Sequence, residues 1–389
     1  MASAGAGSLL GGFVTSPSEE RGAIAFAEKL LGLLEEGRYT ATYKYAVLLA
    51  LLDLCLEQTS KTGAPPRVLT TRQLAEKILD LYWPHTLPFL RGASASVLRQ
   101  NLRGQAEILS AISRFRERYA RDPSAPLWAA RMAAPHRLEL LVRFIEWKLI
   151  EMPLPRLQIM GNTPHPFICE IPWDQAVRQG DVRRYQEKKA GPFDNRILLK
   201  PQVGEHLLQL NGLLRPLIQR KWAALVARLN GHEEDRLEEF LFGAERIATA
   251  KLRVPLWKLQ DGRCFYCERR IGELDRAELD HFIPWARYPD DGIENLVVAD
   301  SACNGEKRAF LAAAQHVVRW SSRFAVRSPI GAELADVAEH TGWERHPDQT
   351  LSVARAIYLR LPHDAKLWLH GRKFVVADRS ALGRALGAA

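Results

Sequence analysis

The feature that most constrains the fold is a short stretch, residues 262–320, termed here the motif segment. It combines a Cys-x-x-Cys pair, an Asp-His pair, a separate Asn and a Cys-Asn pair, which are Cys264 and Cys267, Asp280 and His281, Asn295, and Cys303 and Asn304. Thiols, an imidazole and carboxylate or amide oxygens are the groups that bind metals and move protons. Few soluble folds need all of them within so short a span.

The pattern of apolar residues predicts the secondary structure of the motif segment. LDHFI alternates about His281 and ENLVVA is rich in β-branched residues, so each predicts a strand, with a turn-rich loop over residues 284–292 between them. From Ala302 onward the apolar residues recur with helical period, at Phe310, Leu311, Ala314, Val317 and Val318. The predicted order is strand, loop, strand and one helix.

This order of residues resembles the HNH endonuclease family, whose ββα-metal core carries Cys-x-x-Cys, Asp-His, Asn-Leu-Val and Cys-Asn-x-x-Lys. The resemblance is limited to the motif segment. It implies metal-dependent hydrolysis of double-stranded DNA, leaving 5′-phosphate and 3′-hydroxyl ends. Restriction and antiphage defence, with further subunits of a defence system as partners, is the setting that the resemblance implies.

The residues themselves indicate how such chemistry would be divided. An imidazole can take a proton from water at neutral pH, which makes His281 the candidate general base. Asp280 and Asn304 offer hard oxygen ligands for Mg²⁺ or Mn²⁺. Neighbouring residues of a regular strand point to opposite faces, so we expect a bend or bulge that turns Asp280 and His281 towards one cleft.

Three further residues have two interpretations each. Asn295 matches the family residue that orients the catalytic His, which is the role we favour; the alternative is that it satisfies loop backbone at the start of a strand. Lys307 and Arg308 lie one turn beyond Asn304, where they either meet phosphate oxygens or form a solvated helix face.

The cysteines predict a structural zinc site with one uncertain ligand. Two Cys pairs would bind zinc tetrahedrally, but Asp300 stands where the family has its third Cys. The ligands are then Cys264, Cys267 and Cys303, with Asp300 or another group as the fourth. Alternatively, Asp300 is a helix N-cap, which we favour, or the thiols pack without metal.

Composition limits the class of protein. The 389 residues carry a net charge of +9, which fits a polyanionic partner. Of these residues 47% are hydrophobic, as expected for a globular protein. Five cysteines indicate a reducing compartment, and the sequence shows neither a membrane-length apolar run nor a Gly-rich phosphate loop. We therefore expect a cytoplasmic protein without a nucleotide cofactor. Its residues 1–22 are expected to form a flexible N-terminus.

The remaining chain predicts an α+β protein that is predominantly α-helical. Residues 23–150 form a helical domain with a winged-helix-like order of elements, residues 151–249 a mixed extended and helical connection, and residues 250–320 the nuclease module. Residues 321–389 form a C-terminal region that packs on the core. Arg114, Arg118 and Arg121 share one predicted helix face, which either follows a phosphate backbone or is solvated.

Two other functions are consistent with the sequence. In one, the chain is a non-catalytic DNA-binding or scaffold protein, although binding alone does not need Asp280, His281 and Asn304 together. In the other, it is an RNA-directed nuclease.

Overall fold

The fold is a mainly helical α+β structure, as the sequence predicts. The computed structural model describes residues 17–36, 40–91, 94–120, 122, 125–232, 234–243 and 250–387. Residues 1–16 of the predicted N-terminal segment and Arg121 lie outside this range. The first helix already begins at Pro17, so residues 17–22 are helical and not an extension of a flexible N-terminus.

The first third of the chain is built around one helix that is buried along most of its length. That helix, α2, buries every residue from Tyr45 to Leu56, which requires neighbours on all sides. The elements of this part are α1 (Pro17–Glu36), α2 (Tyr43–Glu57), β1 (Val68–Thr70), α3 (Thr71–Tyr82), β2 (Pro88–Arg91), β3 (Ser94–Val97), α4 (Glu107–Tyr119), α5 (Leu127–Ala133), α6 (Pro135–Glu151) and α7 (Pro153–Arg156).

The middle of the chain alternates short strands with helices. Its elements are β4 (Ile159–Met160), β5 (Thr163–Pro164), β6 (Cys169–Glu170), α8 (Gln179–Gln186), β7 (Arg196–Leu199), α9 (Val203–Gln209), α10 (Asn211–Asn230) and α11 (Glu234–Phe242). Helix α10 continues through Pro216, and the break between α9 and α10 falls at Leu210.

The predicted winged-helix order is present, but its strands pair differently from a winged helix. Thr70 caps α3 through a hydrogen bond from the backbone N–H of Gln73. Strand β1, however, pairs with β7, while β2 and β3 form a separate hairpin. Strand β7, some 130 positions later in the chain, thus completes the sheet. The local order of residues does not reveal such a partner.

The motif segment and the C-terminal region follow. Their elements are α12 (Ala250–Leu259), β8 (Ala277–His281), β9 (Leu296–Asp300), α13 (Ser301–Lys307), α14 (Ala314–Ser321), α15 (Pro329–Thr341), α16 (Pro347–Tyr358), β10 (Lys366–His370), β11 (Lys373–Val376) and α17 (Arg379–Ala385). Helix α16 packs on α2, α17 on α14, and β10 on α13. The C-terminal region therefore contacts both the motif segment and the helices before it, α1 to α11, which are termed here the helical body.

The single helix predicted after Ala302 is wrong. Helix α13 ends at Lys307, Arg308 adopts a positive φ of 48°, and a second helix begins at Ala314. Between them the backbone of Leu311 and Ala313 hydrogen-bonds to Trp368 of β10. Pairing with a distant strand therefore overrides the helical period of the apolar residues.

Candidate active site

The β8–β9 hairpin is regular, and this decides where the Asp-His pair points. The register runs without interruption from Ala277 opposite Asp300 to His281 opposite Leu296. The predicted bend or bulge between Asp280 and His281 is therefore wrong for this strand. Because side chains alternate along a regular strand, Asp280 and His281 lie on opposite faces, and they can share a substrate only at the strand end.

His281 is held by a carboxylate from the loop that connects the two strands. Its Nε2 lies 2.8 Å from Oδ1 of Asp291, and its side chain remains 18% exposed. The ring of Trp285 lies beside the imidazole, with 5.3 Å between the ring centroids. If Nε2 carries the proton donated to Asp291, Nδ1 is left with a free electron pair.

Asn295 braces the same loop from inside. Its side chain is fully buried; Oδ1 accepts from the backbone N–H of Ile283, and Nδ2 donates to the carbonyl oxygens of Ile283 and Asp290. These contacts are those of a strand-start Asn that satisfies loop backbone. Asn295 therefore fixes the backbone at Ile283 and Asp290, on either side of the loop, and makes no hydrogen bond to His281.

The connecting loop is also fixed by the helical body. The Tyr288 hydroxyl donates to Glu57 of α2 at 2.5 Å, and the carbonyl oxygen of Arg287 accepts from Asn211 and from Arg215 of α10. Arg215 is buried and forms an ion pair with Asp53. The position of Asp291 against His281 therefore depends on residues more than 200 positions earlier in the chain.

The C-terminal region holds the loop from the other side. Trp343 donates from its indole N–H to the carbonyl oxygen of Asp291 at 2.8 Å. Thr350 donates to Asp290, whose pKa is raised by burial. The first contact is to the residue that meets His281 and the second to its neighbour, so the C-terminal region supports this end of the loop.

Asp280 lies on the other face and is buried. Its Oδ2 accepts from the Tyr266 hydroxyl and lies 2.8 Å from the ammonium of Lys307. Lys307 itself is fully buried and also donates to the carbonyl oxygen of His281 at 2.8 Å. A buried cation next to a buried carboxylate satisfies both charges. Removing either one would leave the other buried without a counter-charge.

Asn304 stands on α13 beside this face. Its Nδ2 donates to Oε2 of Glu278 at 2.8 Å, and Glu278 precedes Asp280 by two residues on the same face of β8. Within the described chain, Asp280 Oδ1 and Asn304 Oδ1 accept no hydrogen bond from protein. The donor set of one carboxylate oxygen, one amide oxygen and a nearby second carboxylate suits a hard divalent cation that keeps several waters.

The basic residues predicted to meet phosphate are in three different situations. Lys307 is buried in its ion pair, so its assignment as a phosphate contact is wrong: α13 packs against β8 and turns this side chain inward. Arg308, Arg114 and Arg118 are exposed, and Arg118 lies over the Tyr119 ring. Helix α4 ends at Tyr119, and Arg121 lies outside the described residues.

The cysteines form a compact cluster. The sulfur atoms of Cys264, Cys267 and Cys303 all lie within 4.8 Å of one another. A hydrogen bond from the Cys303 thiol lowers the pKa of Cys264 to about 5, and the same contact raises the pKa of Cys303. A thiolate in a group of three sulfurs is the arrangement that zinc uses, so the cluster fits a metal with a fourth ligand still to be supplied.

Asp300 does not supply that ligand in this structure. Its carboxylate accepts from the backbone N–H of Ala302 at the start of α13 and forms an ion pair with Arg276 at 3.1 Å. It is therefore the helix N-cap that the sequence favours, and it lies outside the sulfur cluster.

Comparison with known families agrees with the geometry of this segment. Residues 264–313 match the HNH endonuclease family. The HNH match begins at the first cysteine and ends at Ala313, so it covers the cysteine cluster, the hairpin and α13, but only this part of the chain. No curated protein matches the chain. Across the described residues, no helix is long and apolar enough to cross a membrane.

Three residues next to the site were missed by the sequence interpretation. Glu278 could have been found from the two-residue period of β8, which places it beside Asp280. Asp291 stands in a loop, where no periodicity indicates direction. Tyr266 lies inside the Cys-x-x-Cys pair, and its contact with Asp280 depends on how that turn folds against the hairpin.

Proposed function

We propose that this chain is a metal-dependent endonuclease that hydrolyses DNA, leaving 5′-phosphate and 3′-hydroxyl ends, in restriction or antiphage defence. The observation that carries the proposal is the pairing of His281 with Asp291 at the end of β8, next to the Asp280 and Asn304 face. The match to the HNH endonuclease family supports a nuclease, while the substrate and the setting are our inference.

His281 would act as the general base. Asp291 engages Nε2 and fixes both the tautomer and the ring orientation, so Nδ1 would receive the proton of the attacking water. The side chain is 18% exposed, so a water could reach the imidazole. Removing such a base slows a reaction by about 10²–10⁴-fold.

Asp280 and Asn304 would hold Mg²⁺ or Mn²⁺, which when bound supplies charge stabilisation for the phosphate and the leaving oxygen. Tyr266 and Lys307 fix the Asp280 carboxylate from behind and leave Oδ1 available. Glu278 similarly fixes the Asn304 amide, so that Oδ1 points away from its own hydrogen-bond partner. The protein therefore preorganises both oxygens before substrate arrives.

The cysteine cluster would have a structural role. A zinc ion on Cys264, Cys267 and Cys303 would tie the turn before β8 to the helix after β9, which keeps Asn304 opposite Glu278. This assignment is separate from the catalytic cation.

The experiment offers the purified protein supercoiled plasmid, linear duplex DNA, single-stranded DNA and RNA, with Mg²⁺, Mn²⁺ or EDTA, next to a His281→Ala control. We expect cleavage of duplex DNA that requires the cation and is lost in the control. Binding without cleavage of any substrate would favour the scaffold protein, and cleavage of RNA alone would favour the RNA-directed nuclease.

A further inference from the structure

A basic hairpin lies beside the candidate active site but outside the matched segment. Strands β10 and β11 pair antiparallel from Lys366 opposite Val376 to His370 opposite Lys373, with an irregularity after Trp368. The turn contains Gly371, at a φ of 53°, and Arg372. The hairpin begins more than 50 residues beyond the end of the HNH match.

The hairpin is rigidly attached to the site. Trp368 is fully buried; its backbone N–H donates to Leu311 and its carbonyl oxygen accepts from Ala313, both in the link that follows α13. The Trp368 ring lies 5.1 Å from the ring of Tyr266, the residue that donates to Asp280. A second ring contact, 4.9 Å between Phe310 and Phe374, fixes β11 to the same link.

These contacts place the turn next to the outer face of α13. A Cβ built on Gly371 would lie 3.9 Å from Oε2 of Glu306, which is two residues after Asn304 in the sequence. The tip of the hairpin and the candidate metal ligand Asn304 are thus carried by adjoining elements.

The turn presents positive charge that takes part in no ion pair among the described residues. Arg372 and Lys373 are exposed, as is Lys366 at the other end of the hairpin. Throughout the described ranges, no ion pair or hydrogen bond joins these three side chains to another residue, and Glu306 does not pair with them. Trp368 is buried against Tyr266 and its backbone pairs with the link after α13, so the hairpin carries these cations at a defined place.

We propose that the turn formed by His370, Gly371, Arg372 and Lys373 binds the phosphate backbone of the nucleic acid substrate beside the bond that is cut. The inference rests on the proposed function, because it takes the substrate to lie on the Asn304 side of α13. Paired Arg and Lys side chains on a fixed turn position a duplex without reading its sequence. The turn would therefore set where the strand lies, while α13 and β8 carry out the chemistry.

The test compares Arg372→Gln/Lys373→Gln with a matched control, Arg178→Gln/Lys188→Gln. The control removes the same two charges from exposed residues that flank α8, whose packing partner is α6. Affinity for a short DNA duplex is measured without divalent cation over a series of salt concentrations, and thermal unfolding checks that each variant is folded. Cleavage at saturating duplex with Mg²⁺ is measured separately.

The hairpin variant should bind more weakly, with a slope of log affinity against log salt that is shallower by roughly 1.8, or about 0.9 for each lost contact. Its cleavage rate at saturating duplex should stay within about twofold of the wild type, because these residues position the substrate and do not act on the reacting atoms. The control should keep the wild-type slope.

An unchanged slope in a folded hairpin variant would overturn the proposal, and so would an equal change in the control. A wild type that does not bind the duplex at all would overturn it as well. If the slope changes as expected but the wild type cuts none of the nucleic acids offered, the proposed function fails and the phosphate-binding turn stands.

Discussion

The two faces of strand β8 are held in place by different parts of the chain. On one face, His281 meets Asp291 in a loop that is fixed by Glu57 of α2, by Arg215 of α10 and by Trp343. On the other, Asp280 meets Tyr266 and Lys307, which both belong to the motif segment. The candidate base thus depends on the helical body, whereas the candidate metal ligand depends on local contacts.

This difference has a consequence for how the site responds to change. The Asp280 face contains a buried ion pair, so a substitution there changes stability and chemistry together. The His281 face is a chain of hydrogen bonds at a partly exposed imidazole, so a substitution there acts mainly on orientation. Stability and cleavage should separate differently on the two faces.

The largest effect is expected from breaking the ion pair. Asp280→Asn leaves the buried Lys307 ammonium without its counter-charge and should lower the free energy of unfolding by about 3–5 kcal/mol. Adding Lys307→Met should restore most of that stability but not cleavage, because the carboxylate is also a candidate ligand. Denaturant unfolding and cleavage assays check both. A double variant that cuts like the wild type would remove Asp280 from the metal site.

On the other face, Asp291→Asn should lower the cleavage rate at saturating duplex by about 10–100-fold with little change in unfolding. An Asn at this position can donate to Nε2, which would favour the tautomer with the proton on Nδ1. Asp275→Asn, which changes an exposed carboxylate of the same segment, is the matched control. A weaker affinity for duplex with an unchanged rate would show that Asp291 binds substrate instead.

The smallest of these effects on chemistry is expected at the cysteine cluster. Cys264→Ser should abolish the binding of about one zinc per chain and lower the unfolding temperature, by about 2–3 °C for roughly 2 kcal/mol, while the folded fraction still cuts. Elemental analysis and thermal unfolding measure the two quantities. A wild type that carries no zinc and matches the variant in stability would show that the thiols pack without metal.

The sequence was sufficient where a residue's neighbours along the chain decide its role. The strands about His281 and Leu296 and the cap at Asp300 follow from local pattern and were predicted. It was not sufficient where a distant partner decides. The contacts of Tyr288 with Glu57 and of Trp368 with Leu311 involve no shared motif. The position of the loop between β8 and β9 and the break in the helix after α13 could therefore not be predicted.

One expectation failed because a functional argument was preferred to strand geometry. Alternation along β8 places Asp280 and His281 on opposite faces, and the structure keeps them there. Preferring function to geometry also led to the prediction that Lys307 contacts phosphate. A helix that packs on β8 must turn one of its residues inward, and that residue is Lys307.

The measurement that tests the division between the two faces most directly is the single-turnover cleavage rate of saturating duplex against Mg²⁺ concentration, for the wild type, His281→Ala and Asn304→Ala. We predict that His281→Ala loses about 10²-fold or more in maximum rate at an unchanged metal midpoint. Asn304→Ala should instead shift the midpoint to higher Mg²⁺, with part of the rate recovered. A His281→Ala protein that cuts at the wild-type rate, or an Asn304→Ala protein with the wild-type midpoint, would contradict the account.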